Sequence, residues 1–466
     1  MKVRTRIAPS PTGEDIHIGN LYTALINYAV AKKNNGQFIV RIEDTDRQRY
    51  REGAEGQILA SLKAFGLIYD EGPDIGGPYV PYRQSERLPI YKNYAEELIE
   101  KGAAYYCFCT KKRLEELREQ QIKEKKTPRY DKYCLLQVKN AKERIEKGEL
   151  YVIRLNVLAN KKLWFKDLVR EQITIDSNEI DDQVLLKSDG YPTYHLGVVV
   201  DDHLMEISHI IRAEEWISST PKHVLLYESF GWDLPVFAHV PILRNPDKSK
   251  LSKRKNPVWA SWYLKEGFLP EAVLNYLALL GWSHPEEKEI FSLDEFIRLF
   301  KLEDLNTVGP VFDIEKLKWM NGEYIRNLSG ADLAERLKEF YKDDEVAVTL
   351  LNDEFMGSLM VSLAQTRMKT LKDFKDLIIS LIVEARNENE KNIARSLSEK
   401  LSSIPDEDWN KEQILAVFKG VMNEFSIRMP ILYYIFTGKE KGLPLPETLE
   451  GLRKKKTLER LADFVK

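Results

Sequence analysis

Apolar and polar positions along this chain follow two distinct periods. Residues 3–8 form a short apolar-flanked run that reads as a strand, followed by the turn formers Pro9, Ser10, Pro11, Thr12 and Gly13. From about residue 19 to 33, Leu21, Leu25, Ile26 and Ala29 recur at helical spacing. Residues 37–43 return to a strand pattern. Strand, turn, helix and strand in succession make a βαβ unit and predict a parallel sheet.

Near residues 78–83 the pattern changes. Residues 81–190 mix charged helical segments (86–101, 111–125) with β-rich runs (150–155, 171–175). The βα character returns at 194–200 and 207–213. The spacing therefore predicts an α/β domain in two parts, 1–80 and 191–250, interrupted by an insertion at 81–190. After about residue 327 the pattern is almost wholly helical. Leu333, Leu337 and Phe340 share one face, and Leu452, Leu458 and Leu461 fall on or near another. Residues 387–400 are so hydrophilic that they read as a solvated helix face or a loop.

Composition narrows the class. The chain has 466 residues, enough for about three or four domains. It is 43% hydrophobic and 31% charged, an ordinary globular balance. No apolar run is long enough to span a membrane, and the N-terminus lacks a secretory apolar core. Three cysteines do not make a disulfide framework, and a cytoplasmic location is expected. The net charge of −3 neither announces nucleic-acid binding nor excludes it.

Two constellations carry candidate chemistry. His17, Ile18, Gly19 and Asn20 stand where the first strand turns into a helix. Ligands of parallel α/β sheets bind at the carboxyl ends of the strands, and a helix N-terminus there offers N–H groups to phosphates. By itself such a pattern fits a surface turn equally well. Lys250, Leu251, Ser252, Lys253 and Arg254 lie in a loop-like stretch after the apolar run 236–243. Clustered lysines can stabilise a transferring phosphoryl group, though most charge runs are solvated.

Taken together on a split α/β domain, the two resemble the signature motifs of class I aminoacyl-tRNA synthetases. Flanking segments narrow the resemblance: RIAPSPTG at 6–13, RIEDTD at 41–46, YPTYHL at 191–196, VDDHLM at 200–205, IRAEEW at 211–216, LRNPDKSKLSKRK at 243–255 and KLKWMNGEYI at 316–325. In this order they resemble the bacterial-type glutamyl-tRNA synthetase family. One departure is Asn20, where the ideal motif has His; a catalytic role for that position is not carried over.

The resemblance implies a doubly wound, Rossmann-type catalytic domain with an inserted α+β acceptor-binding domain. An all-α stem-contact region (251–327) and an all-α anticodon-binding domain (328–466) follow. It implies ATP-dependent glutamylation of tRNA(Glu), with Mg2+ accompanying the ATP. His17, Gly19, Lys250 and Lys253 are then the catalytic set, and Glu215, Leu243 and Ser252 join them around the nucleotide. Arg6, Ala8, Ser10, Glu43, Tyr194 and Arg212 surround the amino acid. Glu43 suits the ammonium, and Arg6 and Arg212 suit the carboxylates. Which arginine meets the side-chain carboxylate stays open. Arg41, Asp44 and Asp46 read as structural or peripheral.

Cys107, Cys109 and Cys134 resemble the zinc site that some members carry in the inserted domain. Leu136 stands where a fourth ligand would follow Cys134, so Tyr130 is the best remaining candidate. Three reduced cysteines left from a lost site are the alternative. Basic segments at 111–113, 123–126, 248–255 and 453–456 could meet tRNA phosphates, and Arg367 matches an anticodon-reading arginine. The resemblance implies a monomer with no membrane partner. It leaves open whether tRNA(Gln) is also charged, which would require an amidotransferase partner. A paralogue that modifies a tRNA base usually lacks the helical tail present here. A binding-only relative would not need the intact lysines and histidine.

Overall fold

The computed structural model describes residues 2–251, 257–378 and 383–466. They form two compact units, Met1–Trp262 with Leu274–Asp313, and Tyr263–Val273 with Ile314–Lys466. Ser252 and Lys253 lie outside the described residues.

Among its described residues the first unit has nine strands: β1 (Arg4–Ile7), β2 (Gln37–Val40), β3 (Ala104–Cys107), β4 (Val152–Leu155), β5 (Lys162–Asp167), β6 (Glu171–Asp176), β7 (Val184–Leu186), β8 (His209–Ala213) and β9 (Val236–Val240). β1 and β2 run parallel, with Arg4 opposite Gln37 and Ile7 opposite Val40. The helix Ile18–Lys33 connects them, completing the βαβ unit expected from the periodicity. β8 and β9 are also parallel, His209 opposite Val236 through Ala213 opposite Val240. Ser208 donates its N–H to the Arg4 carbonyl at 3.0 Å and so brings the chain entering β8 alongside β1. β3, β4 and β7 form a separate antiparallel sheet.

β5 joins β9 in parallel through Asp167 and Phe237, and β6 pairs antiparallel with β5. This hairpin lies within residues 81–190, yet its hydrogen bonds continue the sheet of β8 and β9. Alternation along β5 buries Leu163, Phe165 and Asp167 and exposes Lys162, Trp164 and Lys166. A carboxylate therefore occupies an inward position of an otherwise apolar face.

β1 reads RTRI and is buried at every position. Strands covered on both faces are normally apolar, so the two arginines need buried partners. Arg4 forms a fork with Glu71 at 2.7 and 3.0 Å. Arg6 does the same with Asp202 at 3.0 and 3.2 Å.

The second unit is helical among its described residues. Ser329 caps Gly330–Phe340 by accepting the Asp332 N–H at 3.1 Å. Leu333 and Leu337 are fully buried, with Phe340 packed beside them. The hydrophilic stretch at 387–400 takes the first of its two expected forms, a helix with a solvated face, and adds a buried face. It forms most of the helix Glu388–Ser402, whose Ile393, Ala394, Leu397 and Leu401 make a completely buried stripe. Few apolar residues suffice when they recur at helical spacing. The helix Leu445–Val465 breaks at Arg453, where φ is 67° and ψ 155°, so Leu452 and Leu458 belong to different segments.

Candidate active site

The loop after β1 delivers His17 to the N-cap of the first helix. Its Nδ1 accepts the Gly19 N–H at 3.0 Å, which assigns the ring proton to Nε2. A Cβ on Gly13 would fall 2.3 Å from the Trp259 ring, so the loop passes there only as glycine. A cavity of about 260 Å³ opens beside the cap, bordered by His17, Gly19, Glu215, Leu243 and Lys250. Lys250 pairs with Glu215 across it. A cation on one wall and helix N–H groups on another make this cavity suited to a polyanion.

A second cavity of about 100 Å³ adjoins it, sharing Asn20, Thr23, Ala213 and Glu215. Arg6, Ala8, Glu43, Tyr194, Arg212 and Trp216 border it. Beneath it lies a buried charge network. Arg41, wholly buried, reaches Asp202 at 2.7 Å, Glu43 at 3.1 Å and Asp201 at 3.6 Å. Arg87 holds Asp201 at 2.7 Å. Three guanidiniums, Arg6, Arg41 and Arg87, thus balance Glu43, Asp201 and Asp202. Burial raises the Glu43 carboxyl, with Arg41 opposing.

Arg212 differs. Although buried, it has no carboxylate within 4.0 Å among the described residues. Its donors go to the Tyr194 hydroxyl at 3.0 Å, His223 Nδ1 at 3.2 Å, Thr220 Oγ1 at 2.8 Å and His239 Nε2 at 3.2 Å. A guanidinium has five N–H groups, so one on Nη2 is left over. The Tyr194 hydroxyl accepts from Arg212 and keeps its own proton, because burial raises its pKa. The Tyr194 ring stacks on Trp216 at 4.1 Å. One wall of this cavity therefore carries an uncompensated cation beside a free hydroxyl donor.

The expected residues thus gather around two joined cavities. Ser10 is exposed and borders neither. Arg367 lies in the helical unit, exposed, with its guanidinium on the Gly442 carbonyl at 3.2 Å. Trp216, Asp202, His223, His239 and Asp167 were not singled out from the sequence. Trp216 and Asp202 stand inside motifs quoted above, and Asp167 breaks the apolar alternation of β5. The histidines carry no sequence signal.

Cys107, Cys109 and Cys134 offer sulfurs all within 4.8 Å of one another. Cys109 Sγ is 3.5 Å from Cys134 Sγ, and the Tyr130 hydroxyl is 3.4 Å from Cys107 Sγ and 3.3 Å from Cys109 Sγ. A tetrahedral ion bound at about 2.3 Å to sulfur and about 2.0 Å to oxygen sets edges of roughly 3.5–3.8 Å, close to this arrangement. The Phe108 N–H donates to Cys134 Sγ at 3.3 Å and Arg113 reaches Cys109 Sγ at 3.5 Å. The donor set fits a zinc ion.

Comparison with known proteins bears on both regions. Residues 2–319 match the family "tRNA synthetases class I (E and Q), catalytic domain", and residues 332–465 match "Anticodon binding domain". The glutamate--tRNA ligase of Thermus thermophilus is 48% identical, across 98% of this chain and 99% of its own length. That of Acinetobacter baylyi is 42% identical, across 99% and 93%. The crystal structure of a glutamate tRNA ligase from Elizabethkingia meningosepticum in complex with its amino acid superposes with a TM-score of 0.84, at 34% identity, covering 100% of this chain and 99% of that one. With a phosphate-suited cavity joined to a cationic one, and relatives of this identity along the full length, the chain belongs to the glutamate--tRNA ligase family of class I tRNA synthetases.

Proposed function

We propose that this chain ligates L-glutamate to the 3′ end of tRNA(Glu), using ATP. In the first step an α-carboxylate oxygen of glutamate attacks the α-phosphorus of ATP, and pyrophosphate leaves. In the second a hydroxyl of the terminal ribose attacks the carbonyl of the glutamyl-adenylate. AMP leaves and the hydroxyl proton is released. Neither step needs a covalent enzyme intermediate, so positioning and charge stabilisation carry the rate.

His17 donates through Nε2 to the phosphates. Lys250 and Lys253 add positive charge where negative charge gathers, with Gly19, Glu215, Leu243 and Ser252 around the nucleotide. Mg2+ arrives with ATP and offsets its charge. Glu43 takes the ammonium, while Arg212 and Tyr194 take a carboxylate beside Arg6 and Ala8, with Ser10 outside the cavity. The observation that carries this reading is Arg212, a buried cation with a spare N–H and, among the described residues, no acidic partner. A carboxylate completes it. The neutral amide of glutamine leaves it uncompensated, which disfavours that amino acid.

Cys107, Cys109, Cys134 and Tyr130 hold a structural Zn2+ that takes no part in the reaction. Arg367 contacts the anticodon, and the exposed helix Lys111–Lys123 contacts tRNA phosphate. The enzyme works as a cytoplasmic monomer; among the described residues no single helix is long and apolar enough to cross a membrane. The test is charging of labelled glutamate onto tRNA(Glu) and tRNA(Gln) separately, with Lys253→Ala as control. Charging of tRNA(Glu) alone supports a discriminating ligase. Charging of both indicates a downstream amidotransferase. No charging by folded protein overturns the reading.

A further inference from the structure

Arg212 is held by neutral groups, and one of them is itself fixed from behind. Asp167 ends β5 on the inward face. Its Oδ2 stands 2.5 Å from His239 Nδ1, and neither side chain has any solvent exposure. The carboxylate also accepts the backbone N–H groups of Val169 at 2.9 Å, Arg170 at 3.0 Å and His239 at 3.1 Å. Burial pushes the Asp167 carboxyl up, but His239 and these N–H groups outweigh it and hold it ionised. Burial brings His239 down to about 4, against the pull of Asp167, so its ring is neutral with the proton on Nδ1. The Nε2 lone pair then meets the Arg212 Nε–H at 3.2 Å. The opposite tautomer would set one N–H against another. On the far side His223 Nδ1 accepts from Arg212 at 3.2 Å, and His223 Nε2 lies 3.1 Å from His195 Nδ1.

We propose that Asp167 and His239 are positioning residues for amino-acid selection: Asp167 fixes the His239 tautomer, and His239 aims Arg212 so that its spare N–H and the Tyr194 hydroxyl present paired donors to a substrate carboxylate. This rests on the reading of Arg212 as a carboxylate partner. The arrangement supplies orientation without charge. A carboxylate placed directly on Arg212 would orient it too, but would cancel the charge the substrate must meet. Interposing a neutral imidazole keeps the anion on β5 one ring away. It also explains a buried carboxylate on an apolar strand face, which without specific partners is costly.

The test is steady-state aminoacylation by the full chain carrying Asp167→Asn, His239→Leu, His239→Gln, the Asp167→Asn/His239→Gln pair, or Arg212→Leu. An asparagine can donate to Nδ1 and so favour the wrong tautomer. Asp167→Asn and His239→Leu should each raise KM for glutamate about tenfold or more, with KM for ATP within about twofold. A glutamine at 239 offers a carbonyl near the Nε2 position without needing Asp167. His239→Gln should therefore recover glutamate KM relative to His239→Leu, and adding Asp167→Asn should cost less than about twofold. Equal rises in both KM values, an unchanged glutamate KM in folded Asp167→Asn, or an undiminished Asp167→Asn effect in the glutamine background would each overturn the proposal. If Asp167→Asn does not fold, the contrast between leucine and glutamine at 239 decides it. An unchanged glutamate KM in Arg212→Leu would instead overturn the underlying reading of Arg212. A raised KM there with no effect at 167 and 239 leaves that reading standing and removes only the relay.

Discussion

The imidazole of His17 and the α-carbon of Gly19 face each other so closely that a methyl group on Gly19 would stand 3.2 Å from Nδ1. The same Nδ1 accepts the Gly19 N–H at 3.0 Å. The glycine thus leaves room for the ring that its own backbone orients. Gly19→Ala should displace the ring by a few tenths of an ångström and lower kcat about tenfold, with glutamate KM little changed. Steady-state charging kinetics check this; an unaltered kcat would show that the ring tolerates the shift.

Arg212→Lys should fail although it keeps the charge. An ammonium has three donors on a flexible stem and cannot reach Tyr194, Thr220, His223 and His239 together. Glutamate kcat/KM should fall about a hundredfold or more. Near wild-type charging by this variant would mean that charge alone is read.

The cysteine cluster makes a metal prediction. The purified protein should contain about one zinc per chain by elemental analysis. Chelation should lower the melting temperature, and Cys109→Ser should abolish stoichiometric zinc. Tyr130→Phe should weaken retention without eliminating it, since three sulfurs remain. Zinc-free protein whose stability ignores the chelator would contradict all of these.

Acid should destabilise the fold through its buried histidines. Burial brings both His195 and His239 down to about 4. An unfolded histidine protonates near 6.5, so between about pH 6.5 and 4 the unfolded chain takes up protons that the native chain refuses. The stability from these groups is complete above the unfolded pKa and is lost as pH falls toward the folded one. For fully buried His239 the effect is at most about 3 kcal/mol. Denaturant titrations from pH 7.5 to 4.5 should show the decline, and His239→Leu should flatten its slope by about one proton. An identical slope would mean that His239 is not buried as a neutral ring.

Arg453 has φ 67° and ψ 155° at the break in the last helix, a region where non-glycine residues cost about 1–3 kcal/mol. Its guanidinium recovers part of this over the Phe355 ring at 5.2 Å. Arg453→Gly should raise the melting temperature while removing one charge from the basic 453–456 segment. Filter binding of tRNA at two salt concentrations would read the lost charge.

Local order was legible in the sequence because local rules set it. The apolar spacing of Leu21, Leu25, Ile26 and Ala29 located the first helix, and the turn residues before it located the cavity mouth. What stayed hidden depends on partners far apart in the chain. Arg6 and Arg212 read alike as carboxylate binders, yet Asp202 already neutralises Arg6 from almost two hundred positions away, while Arg212 meets only neutral groups among the described residues. No periodicity distinguishes them. The buried face of the helix at 388–402 was obscured because charged residues outnumber its apolar stripe. Asp167 did leave a trace, as a carboxylate in the inward phase of β5, but its meaning required knowing that β5 lies beside β9.

That adjacency bears on how such a chain could be rebuilt. Residues 81–190 look in sequence like a cassette that could be exchanged between relatives, cut at its two ends. Their β5 strand is nevertheless a structural stave of the sheet behind Arg212 and the second cavity, through the pairing of Asp167 with Phe237. A chimera joined at those ends would import a foreign strand beside β9. Swapping that segment would exchange Asp167, the residue buried against His239, along with the module's outer surface, so the two cannot be varied separately by a cut at those ends.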